Sequence, residues 1–129
     1  MKRSRKQVRF GRLGGSAQRA YGPLGVEFLL DEPRLAPISV LRVFLKPGDS
    51  HPPIFHARTT EFFLVLRGEN AARINGRLRR MKAGEFAFLP PGTVHEFRAG
   101  ARGVEVLVIF GPAMDFRAPD IAHATPRRR

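Results

Sequence analysis

The chain reads as an all-β barrel or sandwich, and three observations carry that reading. Short runs rich in Val, Ile, Leu and Phe recur along the sequence, separated by Gly and Pro. No segment sustains a helical period. Asn75-Gly76 stands between two of the short runs, and both residue types tolerate positive φ, which makes the pair a strong hairpin signal.

Taken in order, Met1 to Pro23 is basic and Gly-rich with little periodicity, so it reads as an arm rather than part of the barrel. Val26 to Leu30 is the first expected strand. Ile38 to Lys46 is a longer one, ended by the turn pair Pro47-Gly48. Glu61 to Leu66 is apolar and β-rich. Ala71 to Ile74 and Leu78 to Met81 flank Asn75-Gly76 as a hairpin. Phe86 to Leu89, Val94 to Arg98 and Val104 to Phe110 complete the set. Beyond Phe110, Pro112, Pro119 and Pro126 argue against more strands in the body of the sheet, and a short helical turn is expected near Ala113 to Phe116. The chain therefore divides into a basic arm (1–23), a β-barrel (24–112) and a tail containing Pro and Arg (113–129).

Bulk properties narrow the function classes. At 129 residues the chain has the size of one domain, and 43% hydrophobic residues suffice for a core. No apolar run approaches the roughly 20 residues of a membrane helix. The N-terminus lacks the apolar stretch of a secretory signal. Zero cysteines exclude disulfides and thiolate ligands, which fits a cytoplasmic protein. The net charge of +12 is unevenly spread. Lys2, Arg3, Arg5, Lys6, Arg9 and Arg12 crowd the start, and Arg127, Arg128 and Arg129 end the chain. Without these nine, 14 basic residues face 11 acidic ones. The tails suit solubilisation, or nonspecific contact with nucleic acid through counterion release. No DNA-reading motif accompanies them.

Two segments concentrate the chemistry. The first runs from Gly48 through Ile54, Phe55, His56 and Glu61 to Gly68; the second runs from Gly84 through Pro90-Pro91-Gly92 to His95. They offer His56, Glu61 and His95, a set of two imidazoles and a carboxylate that leaves coordination positions open on a metal. Strand alternation puts Glu61, Phe63 and Val65 on one face and Phe62, Leu64 and Leu66 on the other. Both faces are apolar, as expected of a strand covered outside by a second sheet or a subunit. His95 shares a face with Phe97, and the Pro-Pro-Gly turn fixes where its imidazole enters.

These segments resemble the two motifs of the cupin superfamily, G-x5-H-x-H-x(3,4)-E-x6-G and G-x5-P-x-G-x2-H-x3-N. The first is matched at Gly48, His56, Glu61 and Gly68, the second at Gly84, Pro90, Gly92 and His95. With its flanking strands the resemblance covers Ile38 to Phe110. It implies a double-stranded β-helix, the jelly-roll barrel, with one divalent transition metal (Fe, Mn, Ni or Zn) inside. Two positions depart from the pattern: Ile54 stands where the family has its first His, and Ala99 where the second motif has Asn. Three readings of Ile54 remain. Three ligands suffice and water or substrate completes the shell; or His51 supplies the fourth; or the site binds metal weakly or not at all. His51 precedes Ile54 by three residues, which simple alternation puts on the opposite face, although Pro52-Pro53 could redirect it.

Arg42 and Glu105 sit among apolar residues of expected strands. Pointing inward, Arg42 could bind a substrate carboxylate and Glu105 could move a proton. Pointing outward, both would be surface or dimer-contact residues. The expected function is a metal-binding cupin of dioxygenase or oxidoreductase type acting on a small organic substrate. An isomerase or lyase acting on a sugar or ketoacid is the alternative enzyme, and a non-catalytic ligand-binding module the alternative class. The resemblance also implies a homodimer that covers Phe62, Leu64 and Leu66.

Overall fold

The computed structural model describes residues 7–124. The basic runs at 2–6 and 127–129, which carry most of the expectation of nucleic-acid contact, lie outside them. Among the described residues, ten strands form one curled antiparallel sheet. They are β1 (Gln18–Tyr21), β2 (Leu24–Leu30), β3 (Ser39–Leu45), β4 (Ile54–Phe55), β5 (Thr60–Ile74), β6 (Arg77–Lys82), β7 (Phe86–Leu89), β8 (His95–Glu96), β9 (Ala99–Gly111) and β10 (Ala122–His123). The order is β1-β2-β3-β9-β5-β8-β4-β10, with β6 and β7 also paired to β5. The described residues contain no helix long and apolar enough to cross a membrane.

The long strands β5 and β9 pair along most of their length and form the spine. Alternation on β3, β5 and β9 sends one set of side chains inward in three rows. Ser39, Phe110, Glu61 and Leu89 make one, Leu41, Val108 and Phe63 the next, and Val43, Val106 and Val65 the third. All ten are buried. Complete burial of a side chain such as Phe63 stabilises the fold by about 1.5–3 kcal/mol.

The sequence separates Glu61–Leu66 from Ala71–Ile74, but the structure runs them together as β5. The pairing with β9 shifts register on both sides of Gly68. Gly68 has φ +78°, and a Cβ there would lie 2.0 Å from the Gly103 carbonyl oxygen. This glycine bends the strand instead of ending it.

Two strands fall outside the expected barrel limits. β1 lies within the arm and pairs with β2; all four of its residues are exposed, so it shows no apolar alternation. β10 lies within the tail and pairs with β4 at the sheet edge, where prolines nearby are tolerated. No helical turn forms at Ala113–Phe116, because Met114 is drawn into the core and its N–H donates to the buried Ser39 hydroxyl.

Candidate metal centre

Three short-range devices bring the site together. Ile54 in β4 is directly paired with His95 in β8, which sets the two motif segments side by side. The Pro90-Pro91-Gly92 turn, with Gly92 at φ +85°, returns its Gly92 N–H to the His56 carbonyl at 2.7 Å. Glu61 opens β5 in the inward row beside Phe110. His56, Glu61 and His95 are all buried, and one ligand atom from each lies within 4.8 Å of the others.

The hydrogen bonds assign the protons. His56 Nδ1 meets the Asp120 main-chain carbonyl, and His95 Nδ1 meets that of Thr93 at 3.0 Å. A carbonyl only accepts, so each Nδ1 carries the hydrogen and each Nε2 is left to face inward. Both Nε2 atoms point at Glu61 Oε1, at 3.1 Å from His56 and 3.2 Å from His95. Without a cation, lone pairs would converge on one another. Either a proton on an imidazole or a metal ion relieves that. Atoms bonded to one metal at about 2.0–2.2 Å sit about 3 Å apart on adjacent corners of its shell. The observed spacing matches, so the residues fit the metal that the fold family implies.

Burial pushes the Glu61 carboxyl up, but the His56 and His95 rings beside it prevail when protonated, each then donating from Nε2 while Nδ1–H stays on its carbonyl, and hold it at about 2. Burial pushes His95 down, yet its bond to ionised Glu61 raises it above the ordinary imidazole value. The centre is thus arranged around an ionised carboxylate that demands positive charge.

The three side chains open onto a cavity of about 460 Å³. Its wall is mainly apolar, including Val26, Leu41, Val43, Phe97 and Val108. All four histidines of the chain line it, and no Lys or Arg does among the described residues.

His51 borders this cavity without joining the ligand group. Phe97 N–H donates to its Nε2 at 3.1 Å, and its Nδ1 meets the Pro52 carbonyl at 2.7 Å. Both ring nitrogens are hydrogen-bonded to the main chain, so of the three readings of Ile54 the one with His51 as a fourth ligand would need those bonds to break. Burial pushes this imidazole down and keeps it neutral. Ile54 faces the cavity from the position of the absent histidine.

Arg42 and Glu105 come together, but away from the cavity. Leu41 and Val43 take the inward positions of β3, so alternation turns Arg42 to the opposite face. There it bonds Glu27 Oε1 at 2.8 Å and Glu105 Oε2 at 3.2 Å. Glu27 is fully buried and its other oxygen accepts from Gly14 and Ser16 N–H. Of the two placements weighed for Arg42 and Glu105, the structure has the outward one, an ion-pair group through which Glu27 also holds Gly14 and Ser16 to the sheet.

Sequence reasoning passed over Asp120, whose carbonyl holds His56, and His123, which is paired with Ile54 and lines the cavity. Pro119-Asp120 reads as an ordinary turn signal, and His123 follows the last motif with no spacing rule to mark it.

The Cupin domain family model matches residues 41–110. The chain belongs to the cupin family. An uncharacterized protein of Aquifex aeolicus (strain VF5) is 36% identical over 78 residues, covering 60% of this chain and 63% of that one. Oxalate oxidase GF-3.8 of Triticum aestivum is 34% identical over 82 residues, covering 57% of this chain and 37% of that one. The chain thus spans less than two thirds of either relative. Among solved structures, KdgF from Halomonas sp. superposes with a TM-score of 0.77 at 18% identity, over 87% of this chain and 100% of that one. The Streptomyces nucleoside dehydratase Pac13 gives 0.72 at 18% identity, over 92% of each chain. These two share the fold.

Proposed function

We propose that the chain is a metal-dependent cupin that oxidises a small organic molecule, an activity of the dioxygenase or oxidoreductase type. The observation that carries this reading is the convergence of two buried Nε2 atoms on ionised Glu61 at 3.1 and 3.2 Å. Held by His56, Glu61 and His95, a redox-active divalent metal would supply Lewis acidity and electrons at open coordination positions.

The chain's own residues set the rest. Carbonyls of Asp120 and Thr93 orient the two imidazoles. The apolar wall excludes water and packs the body of the substrate. Because no Lys or Arg lines the cavity among the described residues, it suits a molecule with one polar head at the metal and an apolar body. The wheat relative is named for oxalate oxidation; a small dianion would find no second cation in this cavity. The isomerase or lyase alternative needs a positioned base. Glu105 is turned away and His51 is hydrogen-bonded at both nitrogens, which favours the oxidative reading; among the cavity-lining histidines His123 is the remaining candidate for a base.

Anaerobic loading with Fe(II) or Mn(II), followed by oxygen uptake on small monocarboxylates, phenols and hydroxyketones, tests the proposal. Uptake that disappears in His56→Ala and Glu61→Ala supports it. Metal content that is negligible, or unchanged in both variants, refutes the site. Ile54 favours a second reading, a non-catalytic binding module, since it leaves three ligands. Thermal stabilisation by a ligand with no turnover would select it.

We infer a homodimer from the outer face of the sheet. Val40, Ile109, Phe62 and Phe88 form one apolar row there, and Leu107, Leu64 and Phe86 continue the next. Phe86 and Phe88 are 64% and 62% exposed, which is unusual for adjacent large apolar groups. Sedimentation of Phe88→Glu should report monomer where the parent reports dimer; a monomeric parent would refute the inference.

A further inference from the structure

The two histidines of the centre are oriented in unlike ways. His95 leans on Thr93, two residues away in its own turn. His56 leans on Asp120, 64 residues away and beyond the last long strand, β9. That distant carbonyl can hold the ring only if its segment is fixed against the loop that carries His56.

The Asp120 side chain does the fixing. Its Oδ1 accepts the Ala57 N–H at 3.1 Å, and its Oδ2 accepts the Arg58 N–H at 2.8 Å and the hydroxyl of buried Thr59 at 2.9 Å. The three donors are the residues that immediately follow His56. Just beyond, β10 pairs with β4, which immediately precedes His56, and Ala124 N–H adds a bond to the Pro53 carbonyl at 3.0 Å. The segment from 119 to 124 therefore grips the chain on both sides of one ligand.

We propose that Asp120 is a positioning residue of the metal centre: its carboxylate clamps the 57–59 loop so that its own carbonyl holds His56 as the Nδ1–H tautomer with Nε2 free to bind metal. This rests on the metal-binding reading above. If the clamp is lost, the ring is free to put its hydrogen on Nε2 and donate to Glu61. That tautomer has no lone pair to offer the metal at Nε2.

The test uses the full chain and two measurements on Asp120→Ala, Asp120→Asn and Asp115→Ala. Asp115 forms only an exposed pair with Arg117 and serves as the control. Long-range proton–nitrogen NMR of the metal-free protein reads the ring tautomer, and calorimetry with Zn(II) reads affinity. In the parent and the control, His56 should carry hydrogen on Nδ1. In Asp120→Ala the Nε2–H form should become populated, and Zn(II) affinity should fall about 10- to 100-fold. Asp120→Asn keeps one acceptor oxygen and should fall between; it decides the matter if the alanine variant does not fold. A folded Asp120→Ala with the parent tautomer and Zn(II) affinity within about twofold would overturn the proposal. If the parent binds no Zn(II), the metal reading fails, while the tautomer comparison still decides the positioning role.

Discussion

Metal-free protein should be most stable in a limited pH window set by Glu61 and His95. A Glu held at about 2 when folded and near 4.5 when unfolded contributes stability that is fully present above about 4.5. That contribution fades as the pH falls from about 4.5 towards 2. Its full size is about 3 kcal/mol, a large part of the stability of a small domain. His95 acts in the opposite sense. Its folded value lies above the ordinary 6.5, so its contribution is whole below about 6.5 and is lost as the pH rises through the folded value. The expected profile is a plateau between about 4.5 and 6.5 with a fall on each side. Urea denaturation of chelator-treated protein from about pH 3 to about pH 9 measures it. Other carboxylates contribute to the acid limb, so the comparison that matters is with Glu61→Gln. This variant should lose the Glu61 part of the acid limb and flatten the alkaline one, because His95 no longer has a charged partner. Zn(II) should stabilise the parent most on the alkaline side, since a ligating imidazole must give up its Nε2 proton. Parallel profiles for the parent and Glu61→Gln would refute the reasoning.

Arg42→Ala should destabilise the protein by about 1–3 kcal/mol, because Glu27 Oε1 loses its charged donor while Oε2 keeps the Gly14 and Ser16 N–H groups. Metal content should stay unchanged, which elemental analysis beside urea denaturation checks. Ile54→His should tighten Zn(II) binding by about tenfold, or about 1.4 kcal/mol, by restoring a ligand at a position that faces the cavity beside His95. Calorimetry reads it, and unchanged affinity would mean that position 54 does not reach the metal. Gly68→Ala should cost more than about 1 kcal/mol, since φ is +78° and its Cβ would strike the Gly103 carbonyl. A neutral result in thermal unfolding would show that the strand does not bend there.

Much of the barrel was legible because one face of each long strand is buried, and burial writes period-2 alternation into the sequence. β3 was found nearly to its ends for this reason, whereas β9 was read only from Val104 and begins at Ala99. β1 is exposed throughout and leaves no such trace. β4 and β10 are two residues each, too short to show any period. The candidate metal-binding group was legible because His56, Glu61 and His95 stand in fixed register with Gly48, Gly68, Gly84 and Gly92, four glycines that all adopt positive φ. The inward roles weighed for Arg42 and Glu105 had no such anchor. A charged residue on an apolar strand has two faces to choose from, and alternation alone does not say which one is the cavity until Leu41 and Val43 are seen to line it.

The motif and the site consequently have different boundaries. The family match ends at residue 110, yet His56 takes its tautomer from Asp120 and the cavity wall continues through Phe116, Pro119, Ile121 and His123. His95, Ile54 and His123 lie in one row across β8, β4 and β10, so directly opposed residues point to the same side. Ile54 therefore separates a ligand from an imidazole at the far wall. A histidine at position 54 would add a ligand and draw the row towards the metal. The isoleucine instead keeps an apolar surface between His95 and His123, where the proposed substrate would pack its apolar body. On the function proposed above, Ile54 would select the substrate as well as lower the number of ligands, and the segment after the last motif, which lines the same cavity, would belong to that site.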